Sequence, residues 1–80
     1  MDKELEKYFE NQFDMLASQG WKDLMDTVNS MIKKETDIMS IKNEEDLFKR
    51  QGRLDILNWI VTWKDTCEFT IKVLENEENL

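Results

Sequence analysis

Apolar residues in the first part of the chain recur every three or four positions, which is the spacing of a helix face. In the first segment these residues are Leu5, Phe9, Phe13 and Leu16. In the second segment they are Trp21, Leu24, Met25, Val28, Met31 and Ile32. The pattern predicts helices over about residues 2–18 and 21–35. Gly20 predicts the break between them, because glycine commonly ends a helix in the left-handed conformation.

A third helical pattern follows a stretch without clear periodicity, residues 36–43, which we predict to be a loop. The side chain of Asn43 can accept a hydrogen bond from a first-turn amide. The acidic residues 44–46 lie where the positive end of a helix dipole favours them. No stop signal follows, so one long helix is predicted over about residues 44–75, with residues 76–80 as a frayed tail.

The end of this long segment also fits a second type of structure. From Cys67 to Val73 apolar and polar residues alternate, which is the period of a strand. A strand needs partner strands, and no other segment alternates convincingly or is joined to it by a tight hairpin signal. We therefore predict helix for residues 66–74, with strand as the alternative. The predicted fold class is all-α, a small three-helix domain over residues 1–80 in which two shorter helices pack on one long C-terminal helix.

Charge and hydropathy limit the classes of partner. The 80 residues include 18 acidic and 11 basic side chains, and the formal charge of -7 disfavours direct nucleic acid binding, which needs clustered Lys and Arg. No apolar stretch approaches the roughly 20 residues that span a bilayer, so no membrane association is expected. The N-terminus lacks the basic and apolar regions of a secretory signal, and a lone thiol suits a reducing compartment.

The residue types that catalysis or a tightly bound metal needs are scarce. The chain has no histidine, so Cys67, its only cysteine, lacks the base that most often activates a nucleophile. One cysteine cannot form an intramolecular disulfide, and with one cysteine and no histidine a structural zinc site is close to excluded. There is no glycine-rich phosphate loop and no ordered calcium loop. We expect no enzyme activity, no cofactor and no metal.

Lys49, Arg50 and Arg53 form a basic cluster on the predicted long helix. Glu45 and Asp46 precede the first two by four residues, a spacing that stabilises ion pairs on a helix. A solvated, salt-bridged face is therefore favoured over a phosphate site.

The predicted long helix is apolar over more of its circumference than one contact requires. At about 100° per residue its apolar side chains cover an arc of roughly 200°, whereas a surface helix needs a stripe of about 100°. One face would pack on the shorter helices, and the second is the predicted partner-binding surface. The residues assigned to that surface are Ile56, Trp59, Ile60, Trp63 and Cys67. In the alternative, the shorter helices wrap the long one and cover the whole arc. Gly52 on this helix either serves close approach by a neighbouring backbone or is merely tolerated.

Two runs of sequence suggest a family context: GWKDL at residues 20–24 and DLFKRQGRLDILNW at residues 46–59. Over residues 19–63 the chain resembles short acidic open reading frames of tailed bacteriophages, in which an aromatic residue, a basic pair, Gln-Gly and an apolar helix recur. The resemblance implies a phage-encoded helical protein among the virion and head-assembly genes, located in the virion or the host cytoplasm.

The predicted function is that of a non-enzymatic phage structural or capsid assembly protein. It would bind a larger virion protein, or a copy of itself as a homo-oligomer, through the third helix. The alternative is an acidic inhibitor of a host protein whose carboxylates imitate DNA phosphates. A mimic should display its acids as a continuous stripe, whereas many acids here lie at helix starts and beside basic residues. That distribution favours the structural role.

Overall fold

The computed structural model describes residues 2–78, which form four α-helices and one short 3-10 helix. The α-helices are α1 (Lys3–Leu16), α2 (Gln19–Glu35), α3 (Glu44–Val61) and α4 (Trp63–Glu78), with the 3-10 helix at Ile38–Ser40. The all-α class is confirmed: no strand occurs in the described part of the chain, and residues 66–74 are helical. The three-helix arrangement is wrong, because the predicted long helix is divided at Thr62.

A bend at Thr62 separates the last turn of α3 from the first turn of α4. The Thr62 amide donates to the carbonyl of Asn58, and the Thr66 amide donates to the carbonyl of Thr62, both at 3.0 Å. The Thr62 hydroxyl also donates to the carbonyls of Asn58 and Trp59, at 2.9 and 3.3 Å. A threonine that bonds back to the preceding turn often bends a helix. The expected single helix is therefore two helices, α3 and α4, joined at this bend.

The junction between α1 and α2 lies at Ala17 and Ser18, two residues before the predicted glycine break. The Ser18 hydroxyl accepts a hydrogen bond from the Trp21 amide at 3.2 Å and donates one to the Met15 carbonyl at 2.6 Å. Gly20 lies in the first turn of α2, and none of residues 2–78 has a positive φ. The prediction that Gly20 ends a helix is wrong, because serine is a better N-cap than glycine and starts α2 earlier.

The other helix ends agree more closely with the sequence. Asn43 is confirmed as the N-cap of α3, since its side-chain oxygen accepts a hydrogen bond from the Asp46 amide at 2.9 Å. Residues 36–43 connect α2 to α3, with the 3-10 turn in their middle. α4 continues to Glu78, so residues 76–78 are helical rather than frayed, and residues 79–80 lie outside the described residues.

The helices form a hairpin of two bent arms, α1 with α2 and α3 with α4. α2 packs against α3, and α1 packs against α4. The chain measures 52 × 29 × 15 Å and has a radius of gyration of 17.2 Å. A compact chain of this length would have a radius of about 12 Å. The protein is therefore a flat hairpin, in which each arm is covered by the other along one side.

The buried core is correspondingly thin. The buried side chains among the described residues are Phe9, Leu16, Val28, Leu57 and Cys67. Large apolar side chains elsewhere on the second arm stay in solvent: Ile56 and Trp59 are each 62% exposed. The alternative in which the first two helices wrap the long arm and cover its whole apolar arc is therefore wrong.

Candidate protein interaction site

One broad face of the hairpin is apolar across both arms. Two shallow depressions, of ≈ 280 and ≈ 230 Å³, lie on this face, where the first arm meets α3 and the start of α4. The apolar side chains that line them and reach the surface are Met15, Trp21, Leu24, Met31, Ile56, Trp59, Ile60 and Trp63. We call these eight residues the tryptophan face. Contiguous apolar surface of this kind is unusual on monomeric proteins and marks interaction sites.

On α2 the tryptophan face follows from helix geometry. Val28 points into the hairpin and is buried. Leu24 and Met31 are seven residues apart, so they share one side of the helix beside Val28. They are 47% and 48% exposed, because the opposite arm covers the Val28 side alone. The seven-residue spacing was visible in the sequence, but the side of α2 that α3 would cover was not.

Two tryptophans extend the tryptophan face from α3 to α4, across the bend at Thr62. Trp59 and Trp63 lie on either side of Thr62, with ring centroids 5.3 Å apart and ring planes tilted by 50°. This separation is within the range of favourable aromatic pairs. Trp59 is largely exposed, whereas Trp63 is half-buried. Exposed aromatic side chains next to a depression are typical of the anchor residues in protein interfaces.

The opposite side of α2 and α3 is largely polar. Helix geometry places a different set of exposed residues on the other side of the core stripes of α2 and α3. These are Lys22, Asp26, Asn29, Gln51, Asp55 and Asn58. Of the large exposed apolar side chains of α2 and α3, all but Phe48 therefore belong to the tryptophan face.

An ion pair lies at the end of the tryptophan face nearest the α2–α3 loop. Arg53 donates two hydrogen bonds to the carboxylate of Glu35, both at 2.9 Å. The hydrogen bond from Arg53 lowers the pKa of Glu35, and the pKa of Arg53 is raised by the same contact. Eighteen residues separate the two, so no local spacing rule could have paired them.

Arg50 links α3 by hydrogen bonds to the end of α2 and to the α2–α3 loop. Its guanidinium donates to Asp46 at 3.1 Å, to the carbonyl of Lys34 at 3.3 Å, and to both the hydroxyl and the carbonyl of Ser40 at 2.9 Å. The pKa of Asp46 is lowered, and the largest single cause is the hydrogen bond from the Lys42 backbone amide; the charge and hydrogen bond of Arg50 lower it further.

The basic cluster is engaged with carboxylates, as the sequence predicted. Lys49 bonds to Glu45 at 3.1 Å, and Arg50 bonds to Asp46 at the same distance. Arg53 is taken up by Glu35. The cluster is a salt-bridged face, and a phosphate site is disfavoured because each of the three basic side chains is paired with a carboxylate.

Four of the five predicted partner-binding residues come together on the tryptophan face: Ile56, Trp59, Ile60 and Trp63. Cys67 does not join them. It is 4% exposed in the core, and burial raises the pKa of its thiol. Its assignment to the partner surface is corrected, because its position on α4 faces α1. The residues of the face that the sequence did not assign are Met15, Trp21, Leu24 and Met31.

Charge is distributed unevenly between the two halves of the hairpin. α1 and α4 together contain nine acidic and four basic residues, whereas α2 and α3 contain seven and six. Glu6, Glu10, Glu75 and Glu78 line a groove at the acidic end with Phe9, Phe13 and Ile71. The tryptophan face lies mainly on the nearly neutral half.

No helix within residues 2–78 combines the length and apolar character needed to cross a membrane. The same residues contain no group of three or more Asp, Glu or Cys side chains that could hold a metal ion. Comparison with protein-family models, curated proteins and solved structures finds no match to this chain.

Proposed function

We propose that this protein is a non-enzymatic interaction module that binds another protein surface through the tryptophan face. The observation that supports the proposal is the exposed apolar surface where α2 and α3 meet, on helices whose opposite side is largely polar. Ile56 and Trp59, each 62% exposed, lie where a partner's side chains could cover them. Covering exposed apolar surface contributes about 25 cal/mol per Å².

The shape of the chain supports the same proposal. Its accessible surface is 6496 Å² at a mass of 9.7 kDa. A compact monomer of that mass would expose about 5,100 Å². The flat hairpin thus leaves roughly 1,400 Å² more surface in water than a compact fold would. A partner on the apolar face would bury part of this excess and stabilise the hairpin by mass action.

In the context implied by the resemblance of residues 19–63, the module is a structural or assembly protein of a phage particle. Its larger partner is then a virion protein, met in the host cytoplasm or in the particle. Mass spectrometry of purified particles and assembly intermediates tests this context. Detection of the chain in either is expected, and absence from both contradicts it.

Matched charge substitutions test the binding surface itself. In one variant, Ile56→Glu is combined with Trp59→Glu on the tryptophan face. In the control, Met39→Glu is combined with Phe69→Glu, at positions that are 92% and 69% exposed but do not line that face. The partner is identified by cross-linking and mass spectrometry, and binding is measured by calorimetry. We expect the first variant to lose binding while it keeps its helical circular dichroism, and the control to bind normally. Equal binding by both variants would refute the proposal.

The acidic end supports a second candidate function, an acidic inhibitor of a host DNA-binding protein. The uneven charge of α1 and α4, with four glutamates along one groove, is the observation that favours it. Replacing Glu6, Glu10 and Glu75 by glutamine should then abolish competition with DNA for the host protein. The tryptophan-face variant should compete normally. The reverse pattern would exclude the inhibitor function.

A further inference from the structure

We infer that a second copy of this chain packs against α3 in antiparallel orientation, over a stripe formed by Phe48, Gly52, Ile56 and Trp59. We call these four residues the outer stripe. The inference rests on the proposed function and deepens it by naming the partner. Ile56 and Trp59 belong both to this stripe and to the tryptophan face, so the second copy would cover the edge of that face.

The outer stripe is a second helical contact face on α3. Its residues are spaced by four, four and three positions, so they share one side of the helix. They point away from the side that carries the buried Leu57. Phe48 is 64% exposed, and Ile56 and Trp59 are nearly as exposed. α3 therefore presents one apolar stripe to α2 and a second one to solvent.

Gly52 in the middle of the stripe has no role within the single chain. A Cβ atom added there would meet nothing within 4 Å, and the residue has no positive φ. A glycine in a helix interior destabilises it by roughly 0.5–1 kcal/mol relative to alanine. The choice of a destabilising glycine is accounted for if the backbone of another helix approaches α3 closely at this point.

A two-fold axis gives Gly52 a complementary neighbour. If two α3 helices cross antiparallel with the axis midway between positions 52 and 56, each Ile56 lies against the partner's Gly52. The same symmetry places each Phe48 beside the partner's Trp59. A two-fold interface requires this kind of self-complementarity, in which residue i meets j and j meets i. The order of large and small residues on the outer stripe satisfies it.

Charge selects the antiparallel orientation. The acidic half of each chain, α1 with α4, has an excess of five acidic residues, and α3 has an excess of one. A parallel pair would place two acidic halves side by side. An antiparallel pair through α3 directs them to opposite ends of an assembly whose subunits are each 52 Å long. Charges beyond about 8 Å are largely screened at physiological salt, so the separated ends repel little.

The elongated chain exposes more surface than a compact monomer, and a second copy would cover part of it. A stable interface buries about 800 Å² on each partner. The excess surface of this chain over a compact monomer, roughly 1,400 Å², exceeds that amount. This excess belongs to the whole hairpin. The pair would cover the part of it on α3, and the rest of the tryptophan face stays available to a larger partner.

Two glycine substitutions test the contact in the full chain. Gly52→Gln fills the outer stripe, and Gly20→Gln is the control in the first turn of α2, where an added Cβ meets only the Ser18 hydroxyl at 3.9 Å. Sedimentation equilibrium from low to high micromolar concentration gives the dimer dissociation constant. We expect a wild-type dimer, a dissociation constant raised about tenfold or more by Gly52→Gln, and little change with Gly20→Gln. Both variants should keep or gain helicity, since glutamine favours helix over glycine. A monomeric wild type, or a Gly52→Gln variant that dimerises normally, overturns the inference.

Cysteine cross-linking tests the orientation. Gly52→Cys and Ile56→Cys chains are mixed and oxidised, while Cys67 stays unreactive in the core. The antiparallel pair predicts that disulfides join position 52 of one chain to position 56 of the other. The two Gly52→Cys positions would be offset by four residues, about 6 Å along the axis, and should not join. Preferential joining of Gly52→Cys to itself would contradict the antiparallel pair.

The failures of the two proposals are distinguishable. If the wild type is monomeric but Ile56→Glu with Trp59→Glu still abolishes binding to a virion protein, the second copy is excluded and the proposed function remains. If the chain dimerises through the outer stripe but the same variant binds that virion protein normally, the pair is supported and the tryptophan face is not the site for the larger partner.

Discussion

Ile56 and Leu57 are neighbours on α3 with opposite surroundings, so truncating each in turn distinguishes the core from the proposed interface. Leu57 is 7% exposed against α2, whereas Ile56 is 62% exposed on the tryptophan face. Leu57→Ala removes a buried side chain and leaves a cavity, which costs about 2–5 kcal/mol. Ile56→Ala removes a side chain with little more than a third of its surface buried, so its cost in the isolated chain is below about 1 kcal/mol.

The magnitude matters because the total stability is small. At roughly 0.05–0.15 kcal/mol per residue, a domain of this length is stable by about 4–12 kcal/mol, and this thin core places it toward the lower end. Leu57→Ala therefore removes a large share of the free energy of unfolding. Ile56→Ala removes little of it, but it should weaken association, because the proposed partner would cover its exposed part.

Urea denaturation followed by circular dichroism at two protein concentrations measures both effects. The wild-type midpoint should rise with concentration, because only the folded chain associates. Leu57→Ala should lower the midpoint at both concentrations and keep the rise. Ile56→Ala should leave the dilute midpoint nearly unchanged and lose the rise. If Ile56→Ala destabilises the dilute protein as much as Leu57→Ala does, the assignment of Ile56 to an exposed face is refuted.

Three further predictions concern the contacts of Arg50 with the α2–α3 loop, the pH dependence of stability through Glu35, and the reactivity of the Cys67 thiol. Arg50→Lys should lower the free energy of unfolding, measured in urea, by about 1–3 kcal/mol, because lysine cannot reproduce the hydrogen bonds of the guanidinium to Lys34 and Ser40. Lys49→Ala breaks an exposed ion pair and should lower it by at most about 0.5 kcal/mol. Equal losses would show that these Arg50 contacts do not stabilise the fold. Glu35 has a lowered pKa in the folded chain, so its contribution to stability is present above pH about 4.3 and is lost as the pH falls through the folded value. Acid titrations should show a flatter decline for Glu35→Gln, and identical curves would exclude this contribution. Burial raises the pKa of the Cys67 thiol, so iodoacetamide should label it slowly in the folded protein and rapidly in urea. Fast labelling of the folded chain would show that α4 is not packed on α1 as described.

Local features of the fold were predictable where the chemistry is local. The Asn43 cap and the pairs of Glu45 with Lys49 and Asp46 with Arg50 depend on residues within one turn, and the structure has all three. The Gly20 break was misplaced because two local signals competed, and the serine cap two residues earlier prevailed.

Longer-range features were not predictable from periodicity. Thr62 carries no unusual sequence signal, and a threonine in a continuous apolar pattern does not by itself specify a bend. The contacts of Arg53 with Glu35 and of Arg50 with Ser40 join residues brought together only by the turn between α2 and α3. Cys67 was assigned to the partner surface because the apolar arc was drawn on one straight helix, whereas the bend directs it toward α1.

The sequence by itself determined the helical class, the capped start of α3 and an apolar arc too wide for one contact, because these depend on residue spacing along single helices. Only the tertiary structure decided which part of that arc is core. Side-by-side packing of two bent arms covers Leu57 and leaves Ile56 and Trp59 exposed. It also gathers Met15, Leu24 and Met31 from the first arm onto the same face. The physical reason is that periodicity fixes which residues share a side of a helix, whereas the position of the neighbouring helix fixes which sides are removed from water.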